Sequence, residues 1–207
     1  MEPAETLTDG VVRLRRWRDD DMADLHETVT GSLAHLAPFM PWAVGGYSEA
    51  DAADFLRLAR EEWGEGTAFA YAILGTTGAL AGSCSLMRRI GEGGLEIGYW
   101  LAADETGRGV ATRASALLTA EAFRVGARFV EIHHDTANVR SGLVPRRLGY
   151  TRIATVPTRQ PGGTAATGKL VVWRLAAGEL ETVPTTACVA VPVAEPQTPP
   201  RGGIASS

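Results

Sequence analysis

The sequence predicts one α+β domain built on a mixed, mostly antiparallel twisted sheet of six to seven strands with about four flanking helices. Two observations lead to this class. Three strands joined by short glycine-containing turns follow one another between residues 67 and 101, which is typical of antiparallel neighbours. A strand, a glycine-rich turn, a helix and another strand then follow between residues 95 and 134, which predicts a right-handed crossover and one parallel pair.

Length and composition limit the class of protein. The 207 residues are enough for one domain with a sizeable core, which we place at residues 1–176, and the rest, residues 177–207, reads as a largely disordered tail rich in Ala, Pro and Thr. The formal net charge of -4 gives no basic field, so we expect no nucleic acid and no membrane partner. Cys84 and Cys188 are expected to be ordinary thiols. Because no long apolar run and no leader is present, we expect a cytoplasmic protein.

The first elements are predicted from their periodicity. Residues 7–17 alternate apolar and basic side chains, which predicts a strand with one buried face. Asp19 to Asp21 supply the N-cap and acidic first turn of a helix that ends at Gly31. The following residues 32–47 are predicted to form a loop, and their many apolar and aromatic side chains pack over the core or wall a substrate pocket.

A second helix and a hairpin come next. Ser48 with Asp51 forms a capping box for a helix whose apolar residues fall on one face and which glycines end near residue 66. Residues 67–74 and 79–90 are predicted strands, and the turn between them contains two glycines.

The elements after the glycine-rich turn complete the predicted fold. Residues 110–126 form a helix with an apolar arc, and residues 128–134 form the strand parallel to the one before the turn. Residues 138–148 are predicted to be a further helix, and residues 150–156 and 170–175 are the last strands.

The stretch Leu95 to Thr112 contains the most informative turn of the chain. Gly107 and Gly109 have no Cβ, so the backbone can bend sharply and approach a ligand, while the helix that begins near Val110 directs its unpaired N–H groups at the turn. Such a turn binds phosphate or pyrophosphate. A nucleoside-triphosphate P-loop is excluded because no Lys follows Gly109. A dinucleotide fingerprint fits both glycines but meets Thr112 at its third glycine, which leaves a dinucleotide oxidoreductase as an alternative.

A third pattern fits this turn and leads to a known family. Thr106 to Ala111 resembles the Gln/Arg-x-x-Gly-x-Gly/Ala loop that binds the acyl-CoA pyrophosphate in the GNAT acetyltransferase superfamily, with Thr106 in place of Gln or Arg. Asn138-Val-Arg-Ser141, followed by Leu148-Gly-Tyr150, resembles the ending of the Rim-type branch, whose best-known members acetylate N-terminal amines of ribosomal proteins. The Pro41-Trp42 loop is similar to that branch as well, and the resemblance covers about residues 7–174.

The resemblance implies a GNAT-like fold in which two central parallel strands, here residues 95–101 and 128–134, diverge and leave a V-shaped gap. It implies acetyl-CoA as co-substrate, whose pantetheine arm bonds to backbone groups at the end of the first of these strands. The residues implied to contact acetyl-CoA are Trp100, Leu101, Ala102, Thr106, Gly107, Arg108, Gly109, Val110, Ala111, Thr112, Asn138, Ser141 and Arg146.

The catalytic prediction rests on the chemistry of amine acetylation. An ammonium is protonated at neutral pH, so a base or a water chain must take its proton. Glu96, on the strand beside the gap, is the predicted base, although it can equally face solvent or pair with an arginine. Ser141 resembles the thiolate partner of the Rim-type branch and can also be a helix cap. Trp42 and His133 are predicted acceptor contacts, and no metal is expected because adjacent His133 and His134 point to opposite faces of a strand.

The resulting hypothesis is an N-acetyltransferase that moves an acetyl group from acetyl-CoA directly to a primary amine in a ternary complex. The amine is a protein or peptide N-terminus or a small molecule, and the sequence does not separate these. The alternatives are a non-catalytic acyl-CoA-binding regulatory module and an acyltransferase that uses a longer acyl-CoA. The sequence does not decide whether the protein forms a homodimer.

Overall fold

The computed structural model of the protein describes residues 1–158, 162–182 and 189–190. In these residues the chain forms nine strands and five α-helices. The strands are β1 (Thr6–Thr8), β2 (Arg13–Arg16), β3 (Ala68–Leu74), β4 (Leu80–Met87), β5 (Gly94–Leu101), β6 (Phe129–Asp135), β7 (Thr151–Pro157), β8 (Lys169–Ala176) and β9 (Val189–Ala190). The α-helices are α1 (Met22–Thr30), α2 (Leu33–Leu36), α3 (Glu49–Glu65), α4 (Val110–Arg124) and α5 (Val139–Arg147).

All described strands belong to one sheet in the order β7-β8-β6-β5-β4-β3-β2-β1-β9. Every pair of neighbours is antiparallel except β5 and β6, which α4 connects as a crossover. The predicted mixed, mostly antiparallel α+β fold is therefore confirmed. The described sheet has more strands than predicted, because the N-terminal segment forms two strands and β9 adds a third on that edge.

The two parallel strands separate before they end. Their pairing runs from Gly94 opposite Phe129 to Ile97 opposite Ile132, and it stops there. Beyond this point β5 continues to Leu101 and β6 continues to Asp135. The predicted gap between the central strands is present, and it exposes backbone groups of β5 to a ligand instead of to β6.

Each face of the sheet has its own apolar core. On one face, which we call the α4 face, α4 packs on β4, β5 and β6 over buried residues such as Tyr71, Leu86 and Ile97. On the other face, the α3 face, α1 and α3 pack on β4 and β3 over a smaller cluster that includes Ala72 and the partly buried Trp100. Because side chains alternate along a strand, neighbouring residues of β5 point to different cores.

The first strand was predicted as one piece and is two. β1 and β2 pair antiparallel, and the residues between them form a tight turn. Gly10 has a φ of 85°, in the left-handed region that glycine adopts without strain, and Asp9 Oδ1 accepts hydrogen bonds from the N–H groups of Val11 and Val12. The Asp-Gly turn signal was hidden by an alternation that continues on both sides of it.

The predicted loop at residues 32–47 also contains regular structure. It holds the one-turn helix α2 and a 3₁₀ turn at Pro41–Ala43. The capping box of the next helix is confirmed, since Ser48 caps α3 and exchanges hydrogen bonds with Asp51. Gly66 ends α3 with a φ of 71°.

The predicted tail lies mainly outside the described residues, and so does Cys188. Of the tail, Ala177–Thr182 forms a 3₁₀ turn, and β9 pairs with β1. Cys84 is a free, buried thiol in β4. No helix in the described part of the chain is long and apolar enough to cross a membrane.

Candidate active site

A cavity of about 690 Å³ lies between α2, the diverging end of β5, the start of α4 and α5. We call it the α4-side cavity. It contains ten of the residues that the sequence predicted for acetyl-CoA: Trp100, Leu101, Thr106, Gly107, Gly109, Val110, Ala111, Thr112, Asn138 and Ser141. The remaining lining residues include His35, Met40, Tyr99, Arg140, Leu143 and Arg147.

Three predicted contacts are not among the lining residues: Ala102, Arg108 and Arg146. Arg108 is exposed and pairs with Glu105 at 3.2 Å. Residues 140, 143, 144 and 147 of α5 face the cavity, which is the spacing of one helix face. Arg146 lies about 100° away from Arg147 around the helix, and of these two arginines only Arg147 lines the cavity.

The glycine-rich turn forms the rim of the α4-side cavity. Gly107 and Gly109 have φ values of 78° and 81°, and a Cβ built on either would meet no atom within 4 Å. Gly109 is the N-cap of α4 and gives no side-chain cap, so the first N–H groups of the helix remain available to an anion. The hydroxyl of Thr106 donates to the Ala103 carbonyl at 2.9 Å, and its side chain therefore stabilises the preceding turn.

Tyr99 and Ser141 connect the two sides of the gap. The phenol oxygen of Tyr99, on β5, lies 3.0 Å from the carbonyl oxygen of Ser141 and 2.9 Å from its Oγ, on α5. Asn138 caps α5 by accepting a hydrogen bond from the Ser141 N–H. Burial raises the pKa of Tyr99 to about 12, so the phenol keeps its proton at neutral pH.

A second cavity of about 440 Å³ lies on the α3 face, between α1, α3, β4 and β5. We call it the α3-side cavity. Tyr99 and Trp100 line both cavities, so the two cavities border the diverging end of β5 from its two faces. Trp42, a predicted acceptor contact, lines this cavity and packs edge-on against Tyr47 and Trp100, with ring centroids 5.7 and 5.8 Å apart. The segment of residues 32–47 thus walls a pocket and also packs against the core.

Glu96, the predicted base, lies on the α3 face and is 4% exposed. Arg89 donates to both of its oxygens, from Nε to Oε2 at 2.8 Å and from Nη2 to Oε1 at 2.5 Å. The alternative that Glu96 pairs with an arginine is therefore realised in the structure. Glu96 is not among the residues that line either cavity.

His133 lies between two buried carboxylates at the start of the gap. It follows Ile132, the last residue of β6 that pairs with β5. Its Nε2 is 2.6 Å from Glu131 Oε2, and its Nδ1 is 3.7 Å from Glu96 Oε2. Arg174 donates to Glu131 from Nε at 2.8 Å and also from Nη2. Each carboxylate therefore has its own guanidinium, and the imidazole of His133 lies between the two carboxylates.

His134 points to the opposite face, as predicted for adjacent strand residues. Its Nδ1 lies 2.8 Å from the Asp135 carbonyl oxygen, and its Nε2 accepts the Trp173 indole N–H at 3.0 Å. Burial lowers the pKa of His134. The described residues hold no group of three or more His, Cys, Asp or Glu that could bind a metal ion.

The loop before β8 contacts the segment after α2. The N–H groups of Thr164 and Ala165 donate to the carbonyls of Ala37 and Pro38, each at 2.9 Å. The carboxylate of Asp135, at the end of β6, accepts hydrogen bonds from Thr167 and so holds the other end of this loop. Nothing in the sequence of the loop before β8 predicted these contacts.

Comparison with known proteins gives consistent findings. No curated protein matches the chain. Among solved structures, RimJ of Mycobacterium smegmatis in complex with CoA-disulfide superposes with a TM-score of 0.77 at 24% identity, over 88% of this chain and 93% of that chain. RimL, a ribosomal L7/L12 alpha-N-protein acetyltransferase in complex with coenzyme A, gives 0.73 at 21% identity, over 82% and 96%. The microcin C7 self-immunity acetyltransferase MccE, in complex with acetyl-CoA and AMP, gives 0.74 at 18% identity, over 80% and 92%.

These structures share the fold described above. The family described as the acetyltransferase (GNAT) domain matches residues 12–151. Since this match spans more than half of the chain, the protein belongs to the GNAT acetyltransferase family.

Proposed function

We propose that the protein transfers an acetyl group from acetyl-CoA directly to a primary amine in a ternary complex. One observation carries the proposal: two cavities on opposite faces of the sheet share the lining residues Tyr99 and Trp100, where β5 and β6 have separated. This arrangement lets a thioester enter from one side and an amine from the other.

Acetyl-CoA fits the α4-side cavity. The N–H groups at the start of α4 and the open glycine turn suit its pyrophosphate, and Arg140 and Arg147 add positive charge to the same space. The backbone of β5 beyond Ile97 is free of β6 and can bond the pantetheine arm as an additional strand. The thioester would then lie near Tyr99 and Ser141.

The leaving thiolate needs a proton or a hydrogen-bond donor, and Tyr99 and Ser141 supply it. In this role the Tyr99 hydroxyl acts as the acid, and the Ser141 hydroxyl orients it at 2.9 Å. The pKa of Tyr99, raised by burial to about 12, keeps the donor protonated over the whole range in which an amine can react.

The amine must lose its proton on the α3 face, where Glu96 and His133 lie. We assign the proton to His133, directly or through water, because both Glu96 oxygens already accept hydrogen bonds from Arg89. Glu96 then stabilises the imidazolium from 3.7 Å. A direct role of Glu96 as the base is the competing assignment.

Direct transfer is favoured over an acetyl-cysteine intermediate. Cys84 lines the α3-side cavity, which the sequence had not indicated, but its side chain is buried in the α4-face core. Burial raises the pKa of this thiol, so the nucleophilic thiolate is disfavoured.

For the acceptor, the Rim-type structural neighbours are named for N-terminal acetylation of ribosomal proteins, and we propose a protein or peptide N-terminus as the first class to test. The experiment incubates the protein with acetyl-CoA and a panel of peptides, polyamines and amino sugars while free CoA thiol is measured. We expect thiol release that depends on one class of amine. Tight CoA binding without any amine-dependent thiol release would instead indicate a non-catalytic CoA-binding module.

A further inference from the structure

The α3-side cavity is mainly apolar on its inside. Eight apolar or aromatic side chains line it, contributed by α1, α3, β5 and the segment before α3: Leu25, Val29, Trp42, Tyr47, Phe55, Leu58, Tyr99 and Trp100. At about 440 Å³ it lies in the range of small-molecule pockets and is large enough for a whole aromatic or branched side chain. A small polar group would leave most of this surface without contacts.

The α3 side of this cavity carries negative charge. Asp51 and Asp54 line it, one helical turn apart on α3, together with Arg57. The Arg57 guanidinium pairs closely with Glu61, with 2.7 Å between Nη1 and Oε2. Its contact with Asp54 is longer, with 3.5 Å between Nη2 and Oδ1. The Asp54 side chain is 75% exposed, so a ligand can reach it. A second positive charge on the acceptor would be attracted to this side chain.

The β5 end of the cavity lies beside the start of the gap between β5 and β6. Gly98 of β5 lines the cavity just beyond the last paired residue, Ile97. His133 directly follows Ile132, the partner of Ile97, and is not itself among the residues that line the cavity. An amine bound at the β5 end of the cavity extends its substituents past the aromatic wall toward α3.

We infer that the acceptor is a primary amine that carries a bulky apolar or aromatic group near the nitrogen and a second positive charge further out. A peptide whose first residue is large and apolar and whose second residue is basic has this chemistry. The inference rests on the proposed function, because it names the acceptor of the same site.

The test compares four dipeptide amides with acetyl-CoA at low salt: Phe-Lys, Phe-Glu, Ser-Lys and Ser-Glu. We expect kcat/KM to be at least about tenfold higher for Phe than for Ser in the first position, because the aromatic ring fills the apolar cavity. We expect about threefold higher kcat/KM for Lys than for Glu in the second position, and this preference should fall at high salt. Equal rates for Phe and Ser, or a preference for Ser, would overturn the inference.

Two variants locate each preference. Leu58 is 47% exposed, so Leu58→Ser should leave the fold intact and reduce the preference for Phe. Asp54→Asn should remove the preference for Lys over Glu. Glu65→Gln is the matched control, since it removes one carboxylate from the exposed surface of the same helix outside the cavity and should change neither ratio. If Asp54→Asn and Glu65→Gln behave alike, the assigned role of Asp54 is wrong.

Failure of this inference is distinguishable from failure of the proposed function. If the protein acetylates small polar amines but none of the four peptides, the acceptor class is wrong and the acetyltransferase function stands. If it binds CoA and releases no thiol with any amine, both are wrong.

Discussion

The glycine turn before α4 permits a test that separates the loss of protein stability from the loss of CoA affinity. Gly109 has a φ of 81° and lines the α4-side cavity, whereas Gly126 has a φ of 95° and follows the other end of α4. An added Cβ meets no atom within 4 Å at either position. Gly109→Ala and Gly126→Ala should therefore carry the same backbone cost, about 1 kcal/mol for a left-handed residue with a side chain. In a chain of this size that cost corresponds to a loss of roughly 2–4 °C in Tm.

Only the change at Gly109 should weaken CoA binding. Its methyl group would occupy the space beside the first N–H groups of α4, where we place the pyrophosphate. The loss of one charge-assisted hydrogen bond is about 1.5–3 kcal/mol, which is roughly tenfold to a hundredfold in Kd. Titration calorimetry with CoA measures the affinity, and thermal unfolding without ligand measures the backbone cost. If Gly109→Ala binds CoA as tightly as Gly126→Ala does, the turn does not hold the pyrophosphate and the proposed placement of acetyl-CoA is wrong.

Three further predictions concern the reaction and the fold. Tyr99→Phe should lower kcat by about 10²-fold or more with little change in CoA affinity, because it removes the proposed acid, and an unchanged kcat in steady-state assays would reject that role. His133→Gln should lower kcat at neutral pH by about 10²-fold and Glu96→Gln by less, whereas an unchanged rate for His133→Gln with a large loss for Glu96→Gln would identify Glu96 as the base. Burial raises the pKa of Asp21, but hydrogen bonds from the Arg15 guanidinium and a backbone N–H outweigh it and hold this pKa below its usual range. Asp21→Asn should therefore lower the free energy of unfolding, measured in urea at pH 7, by about 2 kcal/mol. This difference from the native chain should shrink as the pH falls below about 4 and the native carboxyl takes up its proton. A difference that stays equal at pH 7 and at acidic pH would contradict this.

The parts of the fold that depend on local signals could be predicted from the sequence. The capping box of Ser48 and Asp51 joins residues three positions apart, and it forms as predicted. The order of strand, turn, helix and strand around α4 was enough to predict the parallel pair. The start of α4 at Val110 was also predicted, since two glycines precede it.

Other features could not be predicted because their signals are weak or non-local. The Asp9-Gly10 turn interrupts a strand pattern that alternates on both sides, so periodicity alone joined β1 to β2. Glu121 breaks the apolar arc of α4, and no neighbouring residue in the sequence explains a carboxylate at this position. In the structure its carboxylate accepts hydrogen bonds from the Ala4 N–H and from Arg124, and the first of these partners is 117 positions away.

The candidate base also depends on non-local contacts that the sequence could not predict. The sequence favoured Glu96 because it is one acid among the apolar residues of β5, and only neighbours on that strand could be considered. The register of the sheet then sets Glu96 opposite Glu131 and sets His133 two residues further, on the same face, at the start of the gap. The arginines that neutralise these two carboxylates come from the segment after β4 and from β8, seven and 43 positions away from their partners. Because each carboxylate is already paired with a guanidinium, we propose the imidazole between them as the base, and its position at the gap follows from sheet register and not from any local pattern.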